Sequence, residues 1–332
     1  MATHFKLSWI LVLSLLEIAC TSAPKHGQEA GQSYGPPAPV AEITGPPEAM
    51  GPPTIPTEPS YGPEPVQLKS VTLVLGPGMA RSFAFAGAIR ALSEAKIPIG
   101  IIVGTELGGL IAALYALDGS VNRFEWRLLK FPSELFDHHP TPFPSLFGTR
   151  DNGTKIEGAL AKIFGHRDLK DSKIPLKLAV ENTQTGNVSL LDHGETVKAL
   201  RATVASPETF SPVDLDGAKS WSSGARMPFP VTQARTVSSG PVIVLDVLSE
   251  KAVAKGASPD ETEVSKTMFK MVDAGANELK DADLVIRPDM SGIGYLDYSK
   301  RTDAAFRGKT AIAEQIKAIR QLVGLSVSGG TQ

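Results

Sequence analysis

The stretch IIVGTELGGLIAALYAL, residues 101–117, decides the fold. IIV is a β-branched, strand-type run, GTELGG is a turn bounded by glycines, and LIAALYAL is an apolar helix. A buried strand that enters a buried helix through so tight a turn belongs to a sheet covered by helices. Gly104 and Gly108 permit a close backbone approach that side chains would prevent. Between them, at the tip of the turn, stands Glu106.

Working outward, apolar strands and helical patterns alternate. VTLVL (residues 71–75) is a short strand ending in GPG, and FAFAGAIRALSEAK (83–96) is a helix that groups Phe83, Gly87, Ile89, Ala91 and Leu92. Pro98 closes that helix before the strand IGIIV. Further strands are expected at PLKLAV (175–180), VSLL (188–191), VIVLDVL (242–248) and DLVIRP (283–288). QTGN makes a hairpin of the first two, and HGETVKALRATVA supplies a helix beginning near Glu195. A final helix over residues 310–323 places Ile312, Ile316, Ile319 and Val323 on one buried face. These elements predict a single α/β domain, residues 68–325, with a mostly parallel sheet between helical layers and a short tail, 326–332, beyond it. The stretch 128–171 is proline-broken and aromatic before a helical run at 155–164, and is read as a cap. His138 and His139 are adjacent and read as turn residues, so no metal site is expected.

Composition narrows the function. The 332 residues carry 33 Lys and Arg against 35 Asp and Glu, without the basic cluster that tracks phosphates, so nucleic acid is not an expected partner. Lys6 precedes the apolar run LSWILVLSLL (7–16), too short to span a bilayer, and EIAC ends at Cys20, the one cysteine of the chain. A sole cysteine precludes an internal disulfide. This end resembles a bacterial lipoprotein signal over residues 1–19, although Glu17 stands where leucine is usual. The resemblance implies a lipidated Cys20 and, with Thr21 following it, an outer-membrane location; an ordinary signal peptide is the alternative. Residues 20–67, with GPPAP, GPPEA, GPPTIP and YGPEP, cannot form a packed core and read as a tether. In polyproline II, at about 3.1 Å per residue, it would reach on the order of 100 Å.

Three further stretches carry a family resemblance: LGPGMARSFAFAGAIRAL, VGTELGGLIAALYA and ALRATVASPETFSPVDLDGAKSWSSGARMPFPV. In order and spacing they resemble the oxyanion loop, the Gly-x-Ser-x-Gly elbow and the aspartate block of bacterial patatin-like phospholipases. ENTQTGNVSLLDHG and ADLVIRPDMSGIGYLDYSK resemble the family's hairpin and its C-terminal strand and loop. The resemblance implies a three-layer α/β/α sandwich and a serine–aspartate acyl hydrolase. It also implies damage at each functional position. Glu106 stands at the nucleophile's place, and Ser222 at the aspartate's when Pro228 is aligned with the family's proline. A serine hydroxyl is too weakly basic to replace that carboxylate. Gly76, Pro77, Gly78, Met79, Ala80, Arg81, Ser82 replace an oxyanion loop that would have glycine at Pro77, Met79 and Ser82, and Pro77 has no N–H to donate. Arg81 is kept.

The expected reading is a patatin-like pseudoenzyme without cofactor, held at the membrane through Cys20. Glu106 would fill the former anion hole and pair with Arg81 or Arg226; alternatively it faces solvent, or works as a new catalytic carboxylate with Asp214 or Asp216. Two function classes compete: a lipid-binding, protein-binding or self-associating scaffold, with Phe83, Phe85 and Leu107 near the mouth of an acyl groove, and a lipid acyl hydrolase with an unconventional site.

Overall fold

The structure, a computed structural model, describes residue 35 and residues 68–131, 153–207, 210–248 and 258–325. The expected signal and tail, the tether apart from residue 35, Cys20, the aromatic stretch 132–152 and its two histidines lie outside these residues.

Strand β1 (Val71–Leu75) is buried along its whole length. A single-turn 3₁₀ helix (Met79–Phe83) leads into helix α1 (Ala84–Glu94). Strand β2 (Ile99–Gly104) turns directly into helix α2 (Glu106–Ala116), every residue of which is buried. There follow α3 (Val121–Leu129), α4 (Thr154–Phe164), the antiparallel pair β3 (Leu176–Asn182) and β4 (Val188–Leu191), and α5 (Thr196–Thr203). A short hairpin, β5 (Val213–Leu215) with β6 (Ala218–Ser222), precedes α6 (Val231–Val237), β7 (Val242–Leu245) and α7 (Pro259–Gly275). Strand β8 (Leu284–Ile286) and the long α8 (Arg301–Leu322) complete the order.

The sheet runs β5-β6-β3-β2-β1-β7-β8, with β4 joined to β3. From β3 to β8 the neighbours are parallel, and the pairs β3–β4, β3–β6 and β5–β6 are antiparallel. Alternation along each strand supplies both faces. Val71, Leu73 and Leu75 of β1, with Ile243 and Leu245 of β7, enter the core beneath α1, α2 and α8. Val74, Val242 and Val244 enter the opposite core with Val231 and Ala234 of α6 and Met268 and Met271 of α7. The fold is thus the three-layer α/β/α sandwich, with a mostly parallel central sheet. Parallel sheets of this kind present their functional residues beyond the C-terminal strand ends, where β1 and β2 deliver Gly76 and Glu106.

Two expectations change. The last helix starts at Arg301 rather than near residue 310, because its first half packs by small residues: a Cβ on Gly308 would stand 1.9 Å from the Ala84 carbonyl oxygen of α1. Strand β7 stops at Leu245 rather than residue 248, where Asp246 turns to bond Arg287 (3.0 Å) and the Leu248 N–H (2.9 Å).

Candidate functional site

The elbow is built by close backbone contact. Thr105 is extended (φ −122°, ψ 140°), its N–H donates to the Leu75 carbonyl (3.0 Å) and its hydroxyl to the Pro228 carbonyl (2.7 Å). These bonds clamp the ends of β1 and β2 to the 222–229 segment. A Cβ on Gly108 would stand 2.3 Å from the Gly76 carbonyl oxygen, and one on Gly104 2.4 Å from the Gly109 Cα. Neither position tolerates a side chain.

Glu106 at the tip has φ 49°, a left-handed conformation that costs a non-glycine residue of order 1–3 kcal/mol. Its side chain turns inward and is 8% exposed. The Ser222 hydroxyl, at the end of β6 and 1% exposed, donates to Glu106 Oε1 at 3.2 Å, and accepts from the Gly224 N–H at 3.1 Å. The carboxylate lies over Gly224, whose Cβ, if it had one, would be 2.3 Å from Oε1. Gly224 escaped notice in the sequence, although its place two residues after Ser222 in SSGARM marks a close approach. The structure therefore brings Glu106 and Ser222 into direct contact: a hydroxyl bonded to a carboxylate, with the carboxylate on the elbow.

Neither arginine expected beside Glu106 takes that role. Arg81 is buried, donates through Nε to the Ile293 carbonyl (2.8 Å) and lies over the Tyr295 ring (3.9 Å), while the Ala80 N–H donates to the Tyr295 carbonyl (2.8 Å). Arg81 thus fastens the loop after β8 to the loop after β1. Buried Glu261 of α7 holds the far side of that loop, accepting the Tyr295 N–H (2.6 Å) and the Leu296 N–H (2.8 Å). Arg226 bonds Glu181 of β3 (3.1 Å). The reason is positional: β6 pairs with β3, so Glu181 lies across from Trp221, and the turn after Ser222 carries Arg226 towards β3 rather than back to the elbow.

The loop after β1 offers an oxyanion fewer N–H donors than a glycine-rich loop would. Pro77 has no N–H, and the N–H groups of Ala80 and Arg81 are committed to the Tyr295 and Gly78 carbonyls. Met79 is left-handed (φ 48°), the conformation for which glycine is suited. A carboxylate at the elbow adds to this, because its charge opposes a second negative charge developing nearby.

Phe83, Phe85 and Leu107 are core residues rather than the lining of an open mouth, all three packed in the main cluster. Asp214 and Asp216 do not approach Glu106. Asp214 accepts the Gly217 N–H (2.8 Å) at the β5–β6 turn, Asp216 is left-handed in that turn, and both are exposed. Glu278 was not singled out from sequence, yet it borders the site: it accepts the Phe229 N–H (3.0 Å), and burial pushes its carboxyl up to about 7. The Phe229 ring in turn covers Gly76, with Cε1 2.2 Å from where a Cβ would be. Among the described residues, no group of three His, Cys, Asp or Glu side chains could hold a metal ion.

Residues 73–235 match the family described as Patatin-like phospholipase. Lysophospholipase nte1 of Aspergillus oryzae is 29% identical over 181 residues, covering 54% of this chain and 12% of that protein. Patatin-like phospholipase domain-containing protein 7 of Rattus norvegicus is 26% identical over 204 residues, covering 59% of this chain and 14% of that one. The chain thus spans a small fraction of the length of these relatives. Among solved structures, VipD from Legionella pneumophila aligns with a TM-score of 0.45 and 12% identity over 76% of this chain and 67% of its own.

Proposed function

We propose that this chain, a member of the patatin-like family, is a non-catalytic lipid-binding or scaffold domain of a bacterial envelope, tethered through a lipidated Cys20. The observation that carries the reading is the bond between Ser222 and Glu106. The hydroxyl that should attack is absent from the elbow, and the carboxylate standing there is engaged by Ser222 and packed over Gly224. The adjoining loop has lost one N–H at Pro77 and commits those of Ala80 and Arg81 elsewhere, which supports the view that neither attack nor oxyanion stabilisation follows the family's manner. Loss of such groups typically forfeits several orders of magnitude in rate. The names of the relatives speak of lysophospholipids, so an acylated phospholipid is the ligand class to try first. Native mass spectrometry of the purified protein tests this: a retained or exchangeable lysophospholipid supports lipid binding, whereas its absence at saturating lipid leaves protein binding as the role.

The same bond favours one second reading. A serine and a carboxylate remain in contact with their places exchanged, so Ser222 would be the nucleophile and Glu106 its base. Ser222 Oγ would bond to the acyl carbon as its proton passes to Glu106, the proton would go on to the departing alkoxide, and water would release the acid. A fluorophosphonate separates the two readings. Labelling at Ser222 that disappears in Glu106→Gln establishes the exchanged dyad; no labelling supports the non-catalytic domain.

A further inference from the structure

Helix α3 has two apolar faces and needs only one to pack. Phe124 and Leu128 are buried, with the Phe124 ring 5.6 Å from that of Tyr115 on α2. The outward face carries Trp126, 59% exposed, and Leu129, 69% exposed, three residues apart and therefore neighbours on the helix. Arg123 and Lys130 flank them, both exposed, and Lys130 Nζ rests 3.5 Å from the Trp126 ring centroid. Carboxylates do not balance this face. Asp118 is shared between Arg123 (3.4 Å) and Arg127, and Glu125 is bonded to Arg90 of α1.

A tryptophan and a leucine set among cations is the chemistry of a bilayer interface: the indole rests at headgroup depth, the leucine enters the acyl region, and the ammonium and guanidinium groups meet phosphates. A protein partner fits less well. Specific interfaces need about 800 Å² per partner with shaped complementarity, and one face of a nine-residue helix offers little of that. We propose that the Trp126–Leu129 face of α3 docks on an anionic phospholipid surface. The proposal requires neither Glu106 nor Ser222 and stands independently of how the elbow is read.

The test uses the full chain with Trp9→Phe and Trp221→Phe, leaving Trp126 as the sole indole, so that an N-terminal anchor cannot produce the signal. Trp126 fluorescence is followed against vesicles of brominated phosphatidylcholine with and without phosphatidylglycerol. Quenching and a blue shift are expected only with the anionic lipid, fading as salt rises. Arg123→Glu or Lys130→Glu should weaken the apparent partition by roughly fivefold or more, and Leu129→Ser by a similar factor, with circular dichroism unchanged. Equal quenching on both vesicles, or none at low salt, overturns the proposal. So does a Trp126 emission already blue-shifted and shielded before lipid is added, which would mean that another part of the chain or a second copy covers the face.

Discussion

At Glu106 a strained backbone is held at the tip of the elbow around a carboxylate rather than a hydroxyl. The left-handed φ of 49° is what an elbow imposes on its tip residue, and the bonds of Thr105 enforce it. Ser222→Ala would leave Glu106 Oε1 and the Gly224 N–H without the hydroxyl they share, costing about 1–2 kcal/mol, read as a fall of several degrees in Tm. Exchanging the pair, Glu106→Ser with Ser222→Asp, restores the family's order of hydroxyl and carboxylate, and the double variant should gain fluorophosphonate labelling that neither single variant shows. Glu278 supplies a pH dependence. Its folded pKa of about 7 lies above the ordinary 4.5, so between those values the folded protein holds a proton that the unfolded chain lacks. Stability is therefore full below pH 4.5 and falls as pH rises through 7. Denaturation at pH 5 and 8 should show Glu278→Gln removing a loss on the order of 2 kcal/mol, after allowance for the group's partial exposure. The positions of Glu106 and Ser222 were readable because glycines and a proline fix the blocks around them. Their bonding was not, since Arg226 is close to Ser222 in sequence but is directed by a strand pairing of distant residues.

Among the elements, legibility followed apolar side chains. Strands β1, β2 and β7 and helices α1 and α2 are dense in them and were found. Helix α7 was missed because its buried positions include Glu261 and Ser265 beside Met268 and Met271, which blurs the apolar stripe. The β5–β6 hairpin was missed because its strands are short and polar. The first half of α8 was missed because small residues make its contact with α1. That contact is exacting: a Cβ on Gly87 would stand 1.7 Å from the Ala305 carbonyl oxygen. Gly87→Ala should therefore force the two helices apart and cost about 2 kcal/mol or more, despite the gain in helix propensity, and chemical denaturation would measure it.

At the scale of the molecule, the sheet, both helical layers and the elbow form a patatin-like frame, with a glutamate and a serine in contact at its centre. Packed apolar clusters support the elbow on both faces of the sheet. The hydroxyl of Ser222, bonded to the Glu106 carboxylate, helps to hold the strained turn. The most direct measurement is the hydrolysis rate of a fluorogenic phospholipid and of a p-nitrophenyl ester by the protein, Glu106→Gln and Ser222→Ala, side by side. All three are predicted to match buffer alone. Turnover by the unaltered protein that is abolished in both variants would contradict the account and make the exchanged pair an active site.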